Sequence, residues 1–478
     1  MQFAIPLSAK KGTLSRQIYT WLRRAILGGT LRSSERLPST RDLADQLNVS
    51  RTVVLLAYEQ LLAEGFVEGR AGSGTFVGRG LSAVRHRASA PSASLRLSRF
   101  ASCAAAVQPR IEVWQNQPAP LRYDFAFRRS PVEEFPFATW RRILLRRARK
   151  ASLRELDYGP PAGSLALCEA IAGHLRRSRA VVCDASQVII VNGSQQALDL
   201  VTRVLLERGD PVAAEDPHYL GAREVFLAAG ARLCPVPVDE HGLNPDGLPL
   251  NARLAFVTPS HQFPTGTILP LARRLKLLEW AKRASAVIIE DDYDGEFRYE
   301  GQPVESLQGL DSEGRVIYTG TFSRTVFPAL RIGYLIAPKS LVPAFTAAKW
   351  LCDRHTATLE QETLAEFISS GAYERHLRRA RRRHAGRRKA LVEAVHKYLG
   401  DRVKITGDGS GAHVVLWPGK KGTEAEMIAR AASHGVGVAG IAKYFLRRRG
   451  VPAGLMLGYS RLKEEEIREG IRRLAEIL

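Results

Sequence analysis

The sequence predicts an α/β chain preceded by a winged helix-turn-helix, and three observations carry that expectation. Residues 14 to 77 read as three helices and a short hairpin. From about residue 120, short buried-strand runs alternate with helical stretches, which implies a largely parallel sheet covered by helices. The chain has 478 residues, too many for one ordinary core, so two or three domains are expected.

The first helix is "LSRQIYTWLRRAILGG", with an apolar stripe at Ile18, Leu22, Ile26 and Leu27 and a stop at Gly28-Gly29. In "LPSTRDLADQLNVS", Ser39 suits the N-cap of a short helix carrying Leu43, Ala44 and Leu47, and Asn48 can end it. "SRTVVLLAYEQLLAEG" restarts at Ser50 and runs to Gly65. Two helices so close in sequence make a helix-turn-helix whose second helix can enter a major groove. "FVEGRAGSGTFV" reads as two short strands around a Gly/Ser turn, a wing.

Residues 78 to 118 are rich in Ala, Ser and Arg without sustained periodicity, the mark of a mostly flexible linker. Beyond them, "QVIIVNGSQQALDLVTRVLL" reads as strand, tight turn and helix. "RLAFVTPS", "AVIIEDDY" and "RVIYTG" are buried-strand runs, and "LARRLKLLEWAKRA" is helical. In such sheets ligands bind at the strands' carboxyl ends. "NGSQQ", "SHQFPTG", "EDDYD" and "GTFSR" all fall there. In the first of these, Gly193, Ser194 and Gln195 can offer backbone N–H groups to a phosphate.

Composition narrows the class of function. A formal charge of +22 favours a polyanionic partner, nucleic acid first. Arginine outnumbers lysine by 56 to 14, so compositional bias is the competing explanation and a motif has to decide. Residues 1 to 100 hold 15 basic and 6 acidic side chains, consistent with a DNA-facing module. Five scattered cysteines without a CxxC pair argue against a disulfide framework or a zinc site, and no metal ligand is assigned. No secretory signal and no membrane-spanning run is legible, so a cytoplasmic protein without a membrane partner is expected.

The order helix, helix-turn-helix, wing, with "RLPSTRDLADQLNVSRTVV" and "EGFVEGRAGSGTFV", resembles the GntR-type winged-helix DNA-binding domain. The resemblance implies double-stranded operator DNA as partner. It makes Arg41, Ser50, Arg51 and Thr52 contacts to phosphates and bases, and brings Gly72 and Gly74 to the minor groove. Helix N-termini suit phosphate, and an arginine there can read guanine bidentately. "DYGPPAGSLALCEAIAGHL", "NGSQQALDL", "TPSHQFPTG", "IIEDDYDGEFRY" and "GTFSRTVFPALRIGYL" follow in the order of fold-type I aminotransferases that bind pyridoxal 5′-phosphate (PLP). The whole chain is thus similar to MocR-type (GabR-like, PdxR-like) GntR regulators.

That resemblance implies helices on both faces of a mostly parallel sheet and a small C-terminal α/β subdomain. The expected boundaries are 1–77 for the winged helix, 78–118 for the linker, 119–355 for the large domain and 356–478 for the small domain. It implies a head-to-tail homodimer. It also implies that Asp291 pairs with the pyridinium nitrogen, Tyr293 with the ring hydroxyl and Tyr219 with the ring face. Gly193, Ser194, Gln195, Thr321 and Arg331 would then hold the phosphate.

Arg324 departs from the pattern: it stands where the family's "GTFSK" supplies the Schiff-base lysine. A guanidinium stays protonated and cannot form that imine or shuttle a substrate proton. His218 and Leu220 replace the usual Gly and Pro, and Met456 stands where related aminotransferases often carry an arginine for the substrate carboxylate. The pocket is therefore left with PLP held non-covalently, a pre-formed PLP–amine adduct, another anionic ligand, or a vestigial role. Arg324 is read as a contact to that ligand, and no catalytic residue is assigned. The expected function is transcription regulation by a small effector, an amine or amino acid or PLP itself. The competing readings are a PLP-dependent aminotransferase with an accessory DNA-binding domain, and a constitutive DNA-binding protein whose large domain only dimerises. The basic stretch 375–389 is either a solvated helix face or a surface for DNA or an acidic partner.

Overall fold

The computed structural model describes residues 3, 5–8, 12–79, 96–107, 111, 121–127, 130–299, 305–419, 422–447 and 449–478. The chain divides into two compact units, Met1–Arg96 and Leu97–Leu478.

The first unit is built from helices α1 (Leu14–Leu27), α2 (Thr40–Leu47) and α3 (Arg51–Ala63) and the antiparallel hairpin β1 (Val67–Arg70) and β2 (Gly74–Val77). The stripe on α1 is buried at Ile18, Leu22 and Ile26 and packs with Leu43, Val54, Leu61, Val67 and Val77. Ser39 Oγ accepts from the Asp42 amide at 3.1 Å, and Asn48 closes α2 at φ 52°, so both ends of this short helix are satisfied. Ser50 takes the extended N-cap conformation before α3 without a side-chain cap bond. Gly72 and Gly74 sit at φ 73° and 107°, in the left-handed region the tight turn requires.

The second unit opens with α4 (Arg99–Ala105) and β3 (Tyr123–Asp124). Within the stretch expected as linker, residues 80–95, 108–110 and 112–118 lie outside the described residues. The described part contains α4, a helix without a periodic stripe. Ser98 starts it by accepting from the Ala101 amide at 3.1 Å.

Helices α5 (Phe137–Lys150) and α6 (Leu165–Arg179) lead into an eight-stranded sheet. Its strands are β4 (Val188–Val191), β5 (Pro211–Asp216), β6 (Arg232–Asp239), β7 (Gly242–Leu243), β8 (Leu254–Val257), β9 (Val287–Asp292), β10 (Val316–Thr321) and β11 (Gly333–Ile336), in the order β4-β11-β10-β9-β8-β5-β6-β7. From β10 through β6 the pairs are parallel, while β11 runs antiparallel to both its neighbours. Alternate strand residues serve opposite faces. Ile189, Leu254, Phe256, Ile289 and Ile317 pack with α7 (Ser194–Leu205), α8 (Leu220–Ala228) and the Phe345 side chain. Ile190 and Tyr318 pack on the other face with α5 and α6, and Ala255, Val257 and Ile288 with α9 (Leu271–Arg283). Helices therefore cover both faces.

After α10 (Val342–Asp353), helix α11 (Thr358–Ser369) still packs in the large sheet's core through Leu364 and Phe367. The smaller core begins within α12 (Ala372–Tyr398), at Ala390 and Leu391. It includes β12 (Val403–Thr406), β13 (His413–Pro418), α13 (Glu424–Ser433), β14 (Val436–Gly437), β15 (Ala439–Gly440), β16 (Leu455–Gly458) and α14 (Glu464–Ala475). Strand β3 pairs with β14, so Tyr123 and Phe125 join this same core from the far end of the sequence. Much of the basic stretch on α12 is committed internally. Arg381 pairs with Glu296, Arg383 and Arg387 both pair with Glu134, and Arg388 faces Asp408. Arg375, Arg378, Arg379, Arg382 and Lys389 remain at least partly open to solvent.

Candidate DNA-reading surface and ligand pocket

In the first unit Arg41, Ser50, Arg51, Thr52, Gly72 and Gly74 are all exposed. Arg41 lies in the first turn of α2 and Arg51 in that of α3, where free N–H groups give a partial positive charge. Arg51 Nε donates to Thr40 Oγ1 at 3.3 Å, which ties the two helix starts together. Sequence reading missed two features. Leu55 and Leu56 point outward from α3, with 41% and 51% of their surface exposed, where an apolar side chain can meet a thymine methyl. Arg36 lies against the wing: a Cβ at Gly74 would sit 3.3 Å from its Nε.

The second unit gathers the other expected residues at the carboxyl ends of the large sheet's strands. After β4 the chain turns through Gly193 at φ 83° and starts α7 at Ser194. A Cβ on Gly193 would lie 2.8 Å from Arg331 Nη2, so the glycine lets this guanidinium lie on the turn. Arg331 Nη2 donates to the Asn192 carbonyl at 2.8 Å. Thr321, the last residue of β10, donates from Oγ1 to Ser323 Oγ at 3.0 Å. Gln195 Nε2 donates to the Gly221 carbonyl at 3.1 Å, and a Cβ at Gly221 would strike both Gln195 and the Tyr219 ring. A helix N-terminus, hydroxyls and an arginine fork are the kinds of group that can bind a phosphate. Asp353 supports the turn at Gly193 from behind. Its Oδ2 accepts from Asn192 Nδ2 and Gln196 Nε2, both at 2.7 Å, and its Oδ1 from the buried Lys349 ammonium at 2.5 Å. That lysine is spent on an ion pair, as is Lys339 on Asp184.

Asp291 and Asp292, adjacent on β9, have opposite fates. Asp292 accepts from Arg179 Nε at 2.7 Å and from the Tyr318 hydroxyl at 2.5 Å. Asp291 is 4% exposed and accepts a long hydrogen bond from Thr319 Oγ1, at 3.4 Å. Burial pushes its carboxyl up to about 7, with Asp292 adding to the rise. Such a group is stabilised by a cation, and a protonated pyridine nitrogen fits it. The Tyr293 hydroxyl lies 2.9 Å from His261 Nδ1, which also faces Asp294 Oδ2 at 3.0 Å. His413 closes this buried cluster and bonds the Pro264 carbonyl through Nε2 at 2.8 Å. His261 and Asp294 lie inside the "SHQFPTG" and "EDDYD" motifs, so those stretches were visible while the pairing was not. His218 is fully buried beside Tyr219, with both ring nitrogens unpartnered among the described residues, and burial lowers its pKa to about 4.

Arg324 is half-buried. Its Nη1 donates to the Phe127 carbonyl at 2.8 Å, and its guanidinium lies 4.0 Å from the Phe127 ring centroid. Burial lowers its pKa and the nearby Asp294 opposes that. It makes no ion pair among the described residues. Phe127, 197 residues away in sequence, gives no local signal of this contact.

Residues 14–77 match the family of bacterial regulatory proteins, gntR family, and residues 133–474 match aminotransferase class I and II. The probable rhizopine catabolism regulatory protein MocR of Rhizobium meliloti is 40% identical over 469 residues, covering 96% of this chain and 93% of that protein. The pyridoxine biosynthesis transcriptional regulator PdxR of Corynebacterium glutamicum is 30% identical over 455 residues, covering 95% and 93%. Among solved structures, a multiple substrate aminotransferase from Thermococcus profundus has a TM-score of 0.73 at 30% identity, covering 80% of this chain and 96% of that one. A kynurenine aminotransferase from Pyrococcus horikoshii, solved with PMP, has a TM-score of 0.70 at 28% identity, covering 83% and 98%. With a gntR-type reading head and an aminotransferase-like domain in one chain, this protein belongs to the MocR-type gntR transcriptional regulators.

Proposed function

We propose that the aminotransferase-like domain senses PLP, or a PLP–amine adduct, without a covalent bond to the chain, and that occupancy alters operator binding. The observation that carries this reading is Arg324 at the imine position, set in a pocket whose other groups suit the cofactor. Ser194, Gln195, Thr321 and Arg331, with the Gly193 turn, would hold the phosphate. Asp291 would face the ring nitrogen, Tyr293 the ring hydroxyl and Tyr219 the ring face. PLP supplies an aldehyde that captures amines and an electron-poor ring. The chain's own contribution is to bind, orient and hold charge. Lys339 and Lys349, the first lysines after Arg324 in sequence, are held by Asp184 and Asp353. We therefore read the protein as a regulator without transaminase turnover.

In the reading head, Arg41, Ser50, Arg51 and Thr52 would contact phosphates and bases, with Gly72 and Gly74 at the minor groove. A homodimer suits paired half-sites. Leu153 (88% exposed), Leu156, Tyr158 and Leu351 on the larger unit support it, since so much exposed apolar surface favours a protein partner. Control requires the ligand to bind two arrangements unequally. The test is fluorescence anisotropy of a selected operator duplex, with the protein alone, with PLP, and with PLP plus an amine panel. A ligand-dependent change in affinity is expected. Identical curves in every condition would leave a constitutive DNA-binding protein.

A further inference from the structure

We propose that Arg324 is a carboxylate receptor, so that the pocket selects a pyridoxal phosphate adduct of an amino acid over an adduct of a simple amine. This rests on the proposed PLP reading of the pocket and names the chemistry of the amine. A guanidinium has five donors. One, on Nη1, is spent on the Phe127 carbonyl at 2.8 Å. Nε and Nη2 donate to nothing among the described residues, and neither is sealed away as a buried orphan atom. Those two groups form one edge of the planar fork, the edge that grips a carboxylate with two parallel hydrogen bonds.

The fork is also held in place. Its face lies 4.0 Å from the Phe127 ring centroid. Phe127 is 6% exposed and wedged against Phe263 and His413, with ring centroids at 5.7 and 4.4 Å. A guanidinium anchored through one nitrogen and stacked through its face loses little freedom when its other edge takes a ligand.

Met456, at the site where related aminotransferases often present an arginine, shares its apolar cluster with Phe127. Arg324, anchored on that same Phe127, brings a cation to this cluster where Met456 brings none. Asp294, whose charge reaches Arg324, faces His261 at 3.0 Å and makes no ion pair with the fork among the described residues. A cation in such a setting, beside Tyr219 and Tyr293, is completed by an anion from the ligand.

The test uses two stable probes and the full-length protein. N-(5′-phosphopyridoxyl)-L-alanine carries a carboxylate; N-(5′-phosphopyridoxyl)ethylamine is the same adduct without it. Dissociation constants come from calorimetry on wild type, Arg324→Met and Arg324→Lys. The expected result is a preference of about 10-fold or more for the alanine adduct in wild type, the worth of one charge-assisted contact. That ratio should collapse to about 1 in Arg324→Met and survive in reduced form in Arg324→Lys. If both probes bind wild type equally, or if the preference persists in Arg324→Met, the receptor role is wrong while the PLP reading stands. If neither probe binds wild type, the PLP reading fails and the inference falls with it. If Arg324→Met does not fold, Arg324→Gln takes its place: a ratio near 1 supports the receptor role, and a ratio equal to that of wild type overturns it.

Discussion

Arg51 and Arg324 are the same side chain in two different settings. Arg51 lies exposed in the first turn of α3, touching Thr40 and otherwise facing water. Arg324 is half-buried, its guanidinium anchored on Phe127. Charge in water is weak at any one contact, screened by salt and useful in numbers, which suits a polyanion. Charge in a low-dielectric pocket is strong at one contact and little affected by salt, which suits a single small anion. On the proposed reading the net charge of the chain serves two functions, and Arg324 contributes to the second alone.

The sharpest way to break this contrast is Arg324→Lys. A lysine here supplies a primary amine, and borohydride should then trap PLP stoichiometrically where wild type traps none; mass spectrometry of the reduced protein reads it. A wild-type-like result would show that the pocket does not present PLP to this position. Asp291→Asn comes next. Between about pH 4 and pH 7 the folded Asp291 stays protonated while the unfolded one ionises, so it withdraws stability as pH rises through that window. Removing the group should stabilise the ligand-free protein at about pH 8 by up to about 4 kcal/mol, and leave it unchanged below about pH 3, where both states are protonated. The same variant should weaken PLP binding. Opposite signs in urea denaturation and ligand titration distinguish a ligand-facing carboxyl from one that is only structural.

Arg41→Ala or Arg51→Ala should weaken operator binding by about 1–3 kcal/mol if the residue reads a base, or lower the salt slope by about 1 if it meets only phosphate. Neither should change PLP binding. Ser39→Ala has the smallest effect: losing the bond to the Asp42 amide should cost about 1 kcal/mol in the first unit's thermal stability, without a change in the second.

The two regions also differ in how far they could be read in advance. The reading head was legible almost residue by residue, because its signals are local: Ser39 and Asn48 bracket α2, and a three-residue gap separates α2 from α3. The candidate ligand residues were legible as a set of strand-end motifs, but the network that joins them was not. Nothing near Arg324 in sequence announces Phe127, and nothing near Asn192 announces Asp353. Asp291 and Asp292 look alike in "EDDYD", and only the pleat of β9 sends Asp292 to Arg179 and Asp291 to Thr319. Helix α4 escaped notice because it has no buried stripe. Strand β3 escaped because two residues carry no period and its partner β14 lies near the other end of the chain.

The central claim, a PLP-shaped pocket that cannot bond its ligand covalently, is tested most directly by mixing the wild-type protein with PLP. Visible absorption is recorded before and after desalting, and again after borohydride reduction. The expected result is a bound chromophore that desalting removes and reduction fails to fix to the chain. Cofactor retained on the protein after reduction would contradict it, since another lysine would then have taken over the position Arg324 has left.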